Sequence, residues 1–406
     1  MSESGDPIGA EAGSLYRRCM TTTTPTRFGL DRAWSEKAAR PLRLVAGPDA
    51  TPSADELAAL AAGLNRRDDL ADALVRSMRP ADVHRIFASG SLDELGDLYT
   101  AVQRKPGWVD DDLVRQGAEA CRTFGMDAGL VLAYGSLLGG YRTAAALEPL
   151  VRTGRLAGGE TLRRIKETSI WWRAVTAPGG LEPGAAGFRL TLHVRLMHAL
   201  LNARLEADPT WDHELRGLPI NQYDQASTLG VFSTSFLLHL RLLGVRVSGA
   251  DAAAVMHLWS YVGWLMGVDE QWLPHTERRG RRLLYHFLSN DPPPDANSTA
   301  LARALIHMAD DVPGWRGTYE RERALSVSCW LLGPAAMRDL GLPYRLPWYG
   351  LGRILANLVV SHGVGRLPGG RSYLLNRSER QAQAQFSRWT SIDQRTTPAA
   401  RPAPHP

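Results

Sequence analysis

The chain has 406 residues, of which 44% are hydrophobic, and this is enough for a large core in one or two domains. Its three cysteines lie far apart and form no CxxC pair, which argues against a disulfide framework and against thiolate metal centres. The net charge of +5 comes from scattered arginines rather than a basic run, so nucleic-acid binding is not expected. The cysteine usage fits a reducing compartment, and we expect a cytoplasmic location.

Residues 1–52 are predicted to form a flexible N-terminal arm without a core of its own. This region is polar at its start and lacks the apolar segment of a secretory signal. No apolar run in the chain reaches the roughly 18 residues that a membrane span needs, so no transmembrane segment is expected.

Helical patterns begin at Ser53, where a serine cap, Glu56 and an alanine- and leucine-rich run form the signature of a capping box. Beyond it, apolar residues recur at intervals of three and four, and strict alternation is rare. The predicted helices cover approximately residues 53–78, 80–95, 110–123, 127–146, 159–175, 188–206, 219–243, 249–267, 297–310, 319–339 and 347–361. We predict a single all-α domain over residues 53–365, followed by a C-terminal extension, residues 366–406, whose proline-rich end is disordered.

A polar stripe runs along the otherwise leucine-rich helix predicted for residues 188–206. Thr191, Arg195, His198 and Asn202 follow one another at intervals of four, three and four, which places them on one face. A lone histidine on such a helix is most often a packed residue bonded to a carbonyl. Burying it beside an arginine is costly unless an anionic or metallic partner meets the two side chains. Haem offers both, with iron for the histidine and carboxylates for the arginine.

Two further polar lines lie on neighbouring predicted helices. Arg164, Glu167 and Thr168 share a face that is either solvated or, because tryptophans follow Thr168, turned inward. Asn221 and Gln225 begin a line whose side chains either bind a ligand or hold helices together, and the second arrangement is the commoner one.

Other catalytic and metal-binding motifs are not found in the sequence. It contains no HExxH, no phosphate-binding loop of P-loop spacing and no GxSxG. His257, alone on the 249–267 helix, is interpreted as a structural histidine.

Five segments, in order, resemble the family that unites bacterial latex clearing proteins (rubber oxygenases) with fungal MpaB-type oxygenases. The segments are R-R-I-K-E-T (163–168), H-V-R-L-M-H-A (193–199), G-L-P-I-N-Q-Y-D-Q (217–225), H-L-W-S-Y-V-G-W-L-M-G-V-D-E-Q-W-L-P (257–274) and L-L-G-P-A-A-M-R-D-L-G-L-P (331–343). The resemblance covers roughly residues 110–365. It implies an all-α domain with a globin-like core that holds one haem b per chain.

The resemblance also assigns roles on the two sides of the haem. The family's proximal iron ligand, the histidine of V-R-x-x-H-A, corresponds to His198 and not to His193. Its distal R-x-x-x-T residues correspond to Arg164 and Thr168. A proposed general base, the glutamate before T-G-R-L, corresponds to Glu148.

Further residues are expected around the cofactor. Arg195 would pair with a haem propionate or with a helix-end carbonyl, and both alternatives are open. Asn221 and Gln225 would contribute polar groups to cofactor binding, and Glu167 would lie beside the distal site.

Three positions depart from the family pattern. Glu167 replaces a lysine that caps the iron in the rubber enzymes, and Lys166 lies about 100° round the helix from it, so lysine capping is not expected. Asn202 replaces a second arginine. An arginine that often precedes the L-L-G segment is missing from the stretch Ser326–Ser328.

The sequence thus supports three hypotheses. The first is a haem-dependent oxygenase that uses dioxygen on an apolar substrate, such as an isoprenoid or a natural-product intermediate; without an export signal, an insoluble extracellular polymer is not the expected substrate. The second is a haem enzyme of another type, a dehydratase, isomerase or peroxidase-like enzyme, which the acidic Glu167 motivates. The third is a haem-free helical protein that binds an apolar ligand.

Overall fold

The computed structural model describes residues 24–48, 50–152 and 159–396, without the side chains of Ala144, residues 159–161, Asp311 and residues 385–396. All regular secondary structure in these ranges is helical, so the prediction of a single all-α domain is confirmed.

The helices are named here in chain order. In the first half they are α1 (Arg32–Ala46), α2 (Ala54–Gly63), α3 (Asp69–Val75), α4 (Pro80–Ser89), α5 (Gly96–Gln103), α6 (Asp111–Thr123), α7 (Gly125–Val131), α8 (Leu138–Gly140), α9 (Ala144–Arg152) and α10 (Gly159–Val175). In the second half they are α11 (Ala186–Glu206), α12 (His213–Arg216), α13 (Gln222–Gly230), α14 (Phe236–Leu242), α15 (Gly249–Leu265), α16 (Glu277–Leu288), α17 (Ala296–His307), α18 (Trp315–Asp339), α19 (Trp348–Val360) and α20 (Gly370–Thr396). Two π-helical segments, Leu132–Leu137 and Val231–Ser235, and short 3-10 turns connect some of them.

Helix caps explain several boundaries. The capping box between Ser53 and Glu56 is present at the start of α2, as predicted. The single helix predicted over residues 53–78 is instead divided into α2 and α3, because the Asp68 carboxylate accepts a hydrogen bond from the N–H of Ala71 and begins a new helix there. Helix α18 is kinked at Gly333, whose φ of 77° lies in the left-handed region.

Helix α15 lies at the centre of the main core. It is buried on almost every side, and Trp259 and Tyr261 are among the largest fully buried side chains of the protein. It crosses α6 at Gly117, where an added Cβ atom would come within 2.3 Å of the Ala254 carbonyl oxygen. The close approach of the two helices therefore depends on glycine at this position.

The described parts of the two chain ends pack on the domain. Helix α1 packs against α16, Phe28 lies in the main core, and the Arg27 guanidinium pairs with the buried Asp224 carboxylate at 2.7 Å. Helix α20 packs against α6 and α7. The disorder predicted for the last residues falls on residues 397–406, outside the described ranges. Of the helices described, none is both long and apolar enough to cross a membrane.

Candidate functional site

The polar stripe of α11 begins with Thr191, which joins α11 to α10. The Thr191 hydroxyl accepts a hydrogen bond from the Trp171 indole N–H at 3.0 Å and donates one to the Gly187 carbonyl at 2.7 Å. This hydroxyl is fully buried and fully used by the protein. It serves helix packing.

The predicted pairing of Arg195 with a haem propionate is corrected, because its guanidinium already forms an ion pair within the protein. Its Nε and Nη2 atoms donate to the two Asp68 carboxylate oxygens at 2.5 and 2.8 Å, and Nη1 donates to the Leu265 carbonyl at the end of α15. The arginine is 6% exposed, so an ion pair is needed to neutralise it. The helix-end carbonyl, the other alternative from the sequence, is present.

Asn202, at the end of the stripe, also has partners within the protein. Its side-chain oxygen accepts a hydrogen bond from the Ile220 N–H at 3.2 Å, and its amide donates to the Asp72 carboxylate at 3.4 Å. Asn202 therefore fastens α11 to α3 and to the segment before α13.

His198 is the member of the stripe whose polar group remains unsatisfied. Its Nδ1 atom is buried and has no hydrogen-bond partner in the part of the chain that the structure describes. Burial lowers the pKa of His198 to about 4, although the Asp68 carboxylate opposes the shift. As a whole residue, His198 is only partly buried, although this nitrogen is enclosed. His198 is therefore a neutral imidazole at physiological pH, the form that binds metals.

Two other histidines that the sequence brought to notice contact other side chains. The His193 ring packs between the rings of His84 and Phe87, with centroids 5.4 and 4.9 Å away, and burial lowers its pKa. Its Nε2 atom, like Nδ1 of His198, is buried without a hydrogen-bond partner among the described residues. Nε2 of His257 accepts a hydrogen bond from the Asp110 N–H at 2.9 Å, which fits the structural role that was predicted for it.

His239 is a deeply placed histidine that the sequence analysis missed. It lies where the two π-helical segments pack together, and its Nδ1 is 3.3 Å from the Ser136 hydroxyl and 3.2 Å from that of Ser235. Burial lowers its pKa to about 4. Local π-helix often marks functional positions, but no sequence pattern used above detects it.

On α10, the structure corrects the orientation predicted for Thr168. Thr168 and Glu167 are exposed, and the Glu167 carboxylate pairs with Arg163 at 2.9 Å. Thr168 and Glu167 therefore face solvent, which is one of the two orientations that the sequence left open for this helix face. Arg164 is half-buried beside the Tyr141 hydroxyl, where burial raises the pKa of the tyrosine and the arginine charge opposes it.

Trp171, one turn after Thr168, packs against the main core, as Trp172 and Val175 of the same helix also do. Its ring lies 5.3 Å from that of Phe232 and 5.7 Å from that of Trp259. Phe232 and Trp259 stack on each other at 5.2 Å. An aromatic cluster therefore joins α10, α15 and the second π-helical segment.

Glu148 belongs to a group of charged side chains near the C-terminal end of α11. It is 8% exposed, and its carboxylate accepts from Arg152 Nε at 2.8 Å and pairs with Arg216 at 3.4 Å. Arg152 also contacts Asp208, which follows His198 by ten residues, about 15 Å of helical rise. Both carboxylate oxygens thus face arginines.

Asn221 and Gln225 have different surroundings in the structure. Asn221 caps α13: its side-chain oxygen accepts from the Asp224 N–H, and its amide donates to the Leu218 carbonyl. Its predicted cofactor contact is therefore corrected to a capping role. Gln225 is half-buried, and its side-chain oxygen is buried without a hydrogen-bond partner among the described residues.

Contacts on both sides of α13 relate it to α11. Asn202 of α11 bonds to Ile220 just before α13, while Thr191 of α11 is linked through Trp171 to Phe232 just after it. The two segments therefore run antiparallel.

Comparison with known proteins identifies the family. Residues 112–359 match the family described as ER-bound oxygenase mpaB/B'/Rubber oxygenase, catalytic domain. The chain belongs to this family. Helices α7 to α18, including the stripe of α11, and all but one residue each of α6 and α19 fall within the matched catalytic domain of this oxygenase family.

Individual relatives in this mpaB/rubber oxygenase family are distant. A rubber oxygenase from Streptomyces sp. (strain K30) is 25% identical over 214 residues, and the match spans only about half of each chain, 51% of this one and 52% of the relative. The solved structure of latex clearing protein LCP in the closed state is similar with a TM-score of 0.59 and 17% identity, covering 79% of this chain and 90% of that one. That likeness shows a shared fold.

Proposed function

We propose that this chain is a haem b-dependent oxygenase, with one haem per chain and His198 as the proximal iron ligand. The observation that carries the proposal is the unsatisfied imidazole in a stripe whose other three members have protein partners. Membership in the mpaB/rubber oxygenase family supports the oxygenase chemistry.

The residues fit haem at the iron ligand. The imidazole is neutral, and its Nδ1 has no competing partner in the described structure. Iron ligation through one nitrogen would give the ring the polar contact that it lacks. Arg195 has no part in holding a propionate in this proposal, because Asp68 occupies it.

When bound, haem supplies the dioxygen chemistry, and the protein supplies ligation, polarity and access. The Arg195–Asp68 pair and the Trp171–Thr191 hydrogen bond fix the rotation of α11 and hence the direction of the His198 ring. Gln225 retains its proposed role as a polar group of the cofactor pocket, since its oxygen is unsatisfied.

On the distal side of the pocket, half-buried Arg164 is the proposed donor of a hydrogen bond to dioxygen. Glu148 remains the proposed general base, and its carboxylate pairs with Arg152 and Arg216. Exposed Glu167, already paired with Arg163, gives no support to the alternative of a non-oxygenase enzyme with a distal acid.

The proposed substrate is apolar, with dioxygen as co-substrate. Residues of α10, α11 and the second π-helical segment pack on the core yet keep accessible surface. They offer indole, phenyl, thioether and alkyl groups rather than charges. These residues are Trp171, Trp172, Met197, Leu200 and Phe232.

Haem and iron content of the purified protein test the ligand assignment. With haem available during expression, the wild type is expected to carry one haem and a Soret band, and His198→Ala is expected to lose most of both. His239→Ala is the matched control, because its pKa is lowered equally by burial and its ring already has serine partners. Equal haem loss in the two variants, or a wild type without haem, would contradict the proposal and favour the haem-free binding protein.

Dioxygen uptake separates an oxygenase from other haem enzymes. The loaded protein is expected to consume dioxygen with an isoprenoid alkene such as squalene, and to stop under strict anaerobiosis. Product formation without dioxygen would reject the oxygenase assignment while leaving His198 as ligand.

A further inference from the structure

Helix α19 presents an apolar stripe to the outside of the molecule. At 100° per residue, its most exposed large side chains fall within an arc about 100° wide. They are Trp348, Leu351, Leu355, Leu358 and Val359, exposed to 46%, 48%, 68%, 49% and 68%. A surface helix normally turns such a stripe toward the core, so the orientation of α19 requires an explanation.

The opposite face of α19 is held inward by specific contacts. Asn357 is buried and donates to the Leu243 carbonyl at 2.9 Å, and Arg353 forms a two-point ion pair with Asp127. Gly350 lies against the Trp330 side chain, where an added Cβ atom would come within 2.8 Å of the tryptophan Cβ. These contacts prevent the helix from rotating to bury its leucines.

The apolar surface continues beyond the helix. Tyr344 and Leu346 precede it and are 51% and 77% exposed, and Leu367 follows it at 62%. The Trp348 ring contacts Tyr319 at 5.9 Å. Tryptophan and tyrosine beside aliphatic side chains are typical of the boundary between lipid headgroups and acyl chains.

The surrounding sequence is strongly basic. Residues 340–384 contain six arginines and one glutamate, with no lysine or aspartate, whereas the whole chain is nearly balanced with 47 basic and 42 acidic residues. Arg345, Arg353 and Arg371 form ion pairs with carboxylates of other segments. Arg366 and Arg380 are exposed and form no ion pair with the described residues. Anionic headgroups complement these two charges.

We propose that the α19 face, defined as Tyr344, Leu346, Trp348, Leu351, Leu355, Leu358, Val359 and Leu367, docks on an anionic lipid bilayer. The helix is 13 residues long, about 20 Å, which is too short to span a bilayer, so it lies in the plane of the interface. The apolar stripe enters the acyl boundary, and the arginines contact the headgroups. This inference does not depend on haem binding.

Co-sedimentation with vesicles tests the α19 face on the full chain. The probes are vesicles of phosphatidylcholine alone and of equimolar phosphatidylcholine and phosphatidylglycerol. The wild type is expected to bind the anionic vesicles, and Leu355→Ser with Val359→Ser is expected to weaken binding at least about tenfold. Leu44→Ser on α1, where the leucine is 84% exposed, is the matched control and is expected to bind like the wild type.

Arg366→Gln provides an independent variant that leaves the apolar stripe intact. It is expected to weaken binding to anionic vesicles about fivefold, as the loss of one surface cation predicts. No binding by the wild type, or equal binding by the double serine variant, would overturn the proposal. So would a double variant that changes only the sedimentation mass from dimer to monomer, because a second copy would then cover the face.

Discussion

At the scale of single residues, the stripe of α11 shows how neighbouring polar side chains acquire different roles. Thr191, Arg195 and Asn202 each bond to another segment of the chain, from α10, the loop before α3 and the segment before α13. His198 stays within reach of Asp68 but forms no hydrogen bond through Nδ1 to a described residue. The neighbouring residues fix the position of His198, and their own polar groups already have hydrogen-bond partners.

The Arg195–Asp68 pair is expected to be a major contributor to stability. Asp68→Asn would leave a 6% exposed guanidinium without its counter-charge, and we expect a loss of about 3–5 kcal/mol in the free energy of unfolding. Urea denaturation measures it. Glu167→Gln, which breaks the exposed pair with Arg163, is the control and is expected to cost at most about 1 kcal/mol. Similar small losses in both variants would contradict this role.

Asp291 is expected to make stability depend on pH. It is 3% exposed, and burial and the neighbouring Asp224 carboxylate raise its pKa to about 7, against the opposing charge of Arg27. Because the folded pKa exceeds the unfolded value of about 3.9, the folded state binds more protons between these values. Its stabilising contribution is therefore present below the unfolded pKa and is lost as pH rises toward about 7.

Asp291→Asn removes this dependence. Relative to the variant, the wild type is expected to lose up to about 1.4 kcal/mol of unfolding free energy per pH unit within that window. Urea denaturation at a series of pH values between about 5 and 8 measures the difference. Parallel profiles for the two proteins would show that Asp291 does not titrate in this range.

At the scale of helices, boundaries and packing follow partly from local sequence. The Ser53 capping box and the helices α10, α11 and α15 were predicted close to their observed bounds, because their signals lie within a few residues. The prediction missed α16 and α20. Asn221 was expected to bind a cofactor and instead caps α13, and Asp68 divides the helix that was predicted across it. The π-helical segments beside His239 have no sequence pattern that distinguishes them from α-helix.

The crossing of α6 and α15 gives a prediction at this scale. Gly117→Ala would place a Cβ atom 2.3 Å from the Ala254 carbonyl oxygen, and we expect a loss of about 1–3 kcal/mol in the free energy of unfolding. Gly129→Ala on α7 is the matched control: its Cβ meets nothing within 4 Å, and the change is expected to stabilise by about 0.5–1 kcal/mol. Thermal unfolding compares the two. Equal effects would mean that the helices do not approach closely here.

At the scale of the whole molecule, the sequence predicted the fold class and the family, and the comparisons confirm both. Pairings between segments that lie far apart in the sequence could not be predicted. Arg195 and Asp68 are 127 positions apart, and no local pattern says that they meet. The same applies to α1 and α20, whose partners lie far away in sequence, and to Thr168, whose exposure depends on how α10 packs.

The central claim is that His198 ligates haem iron, and the most direct measurement uses a cavity variant. The optical spectrum and haem content of His198→Gly are compared with and without added imidazole, and His239→Gly serves as control. We predict that His198→Gly loses the Soret band of the wild type and that imidazole restores haem binding with a histidine-like spectrum. A His198→Gly protein with unchanged haem content and spectrum would contradict the account.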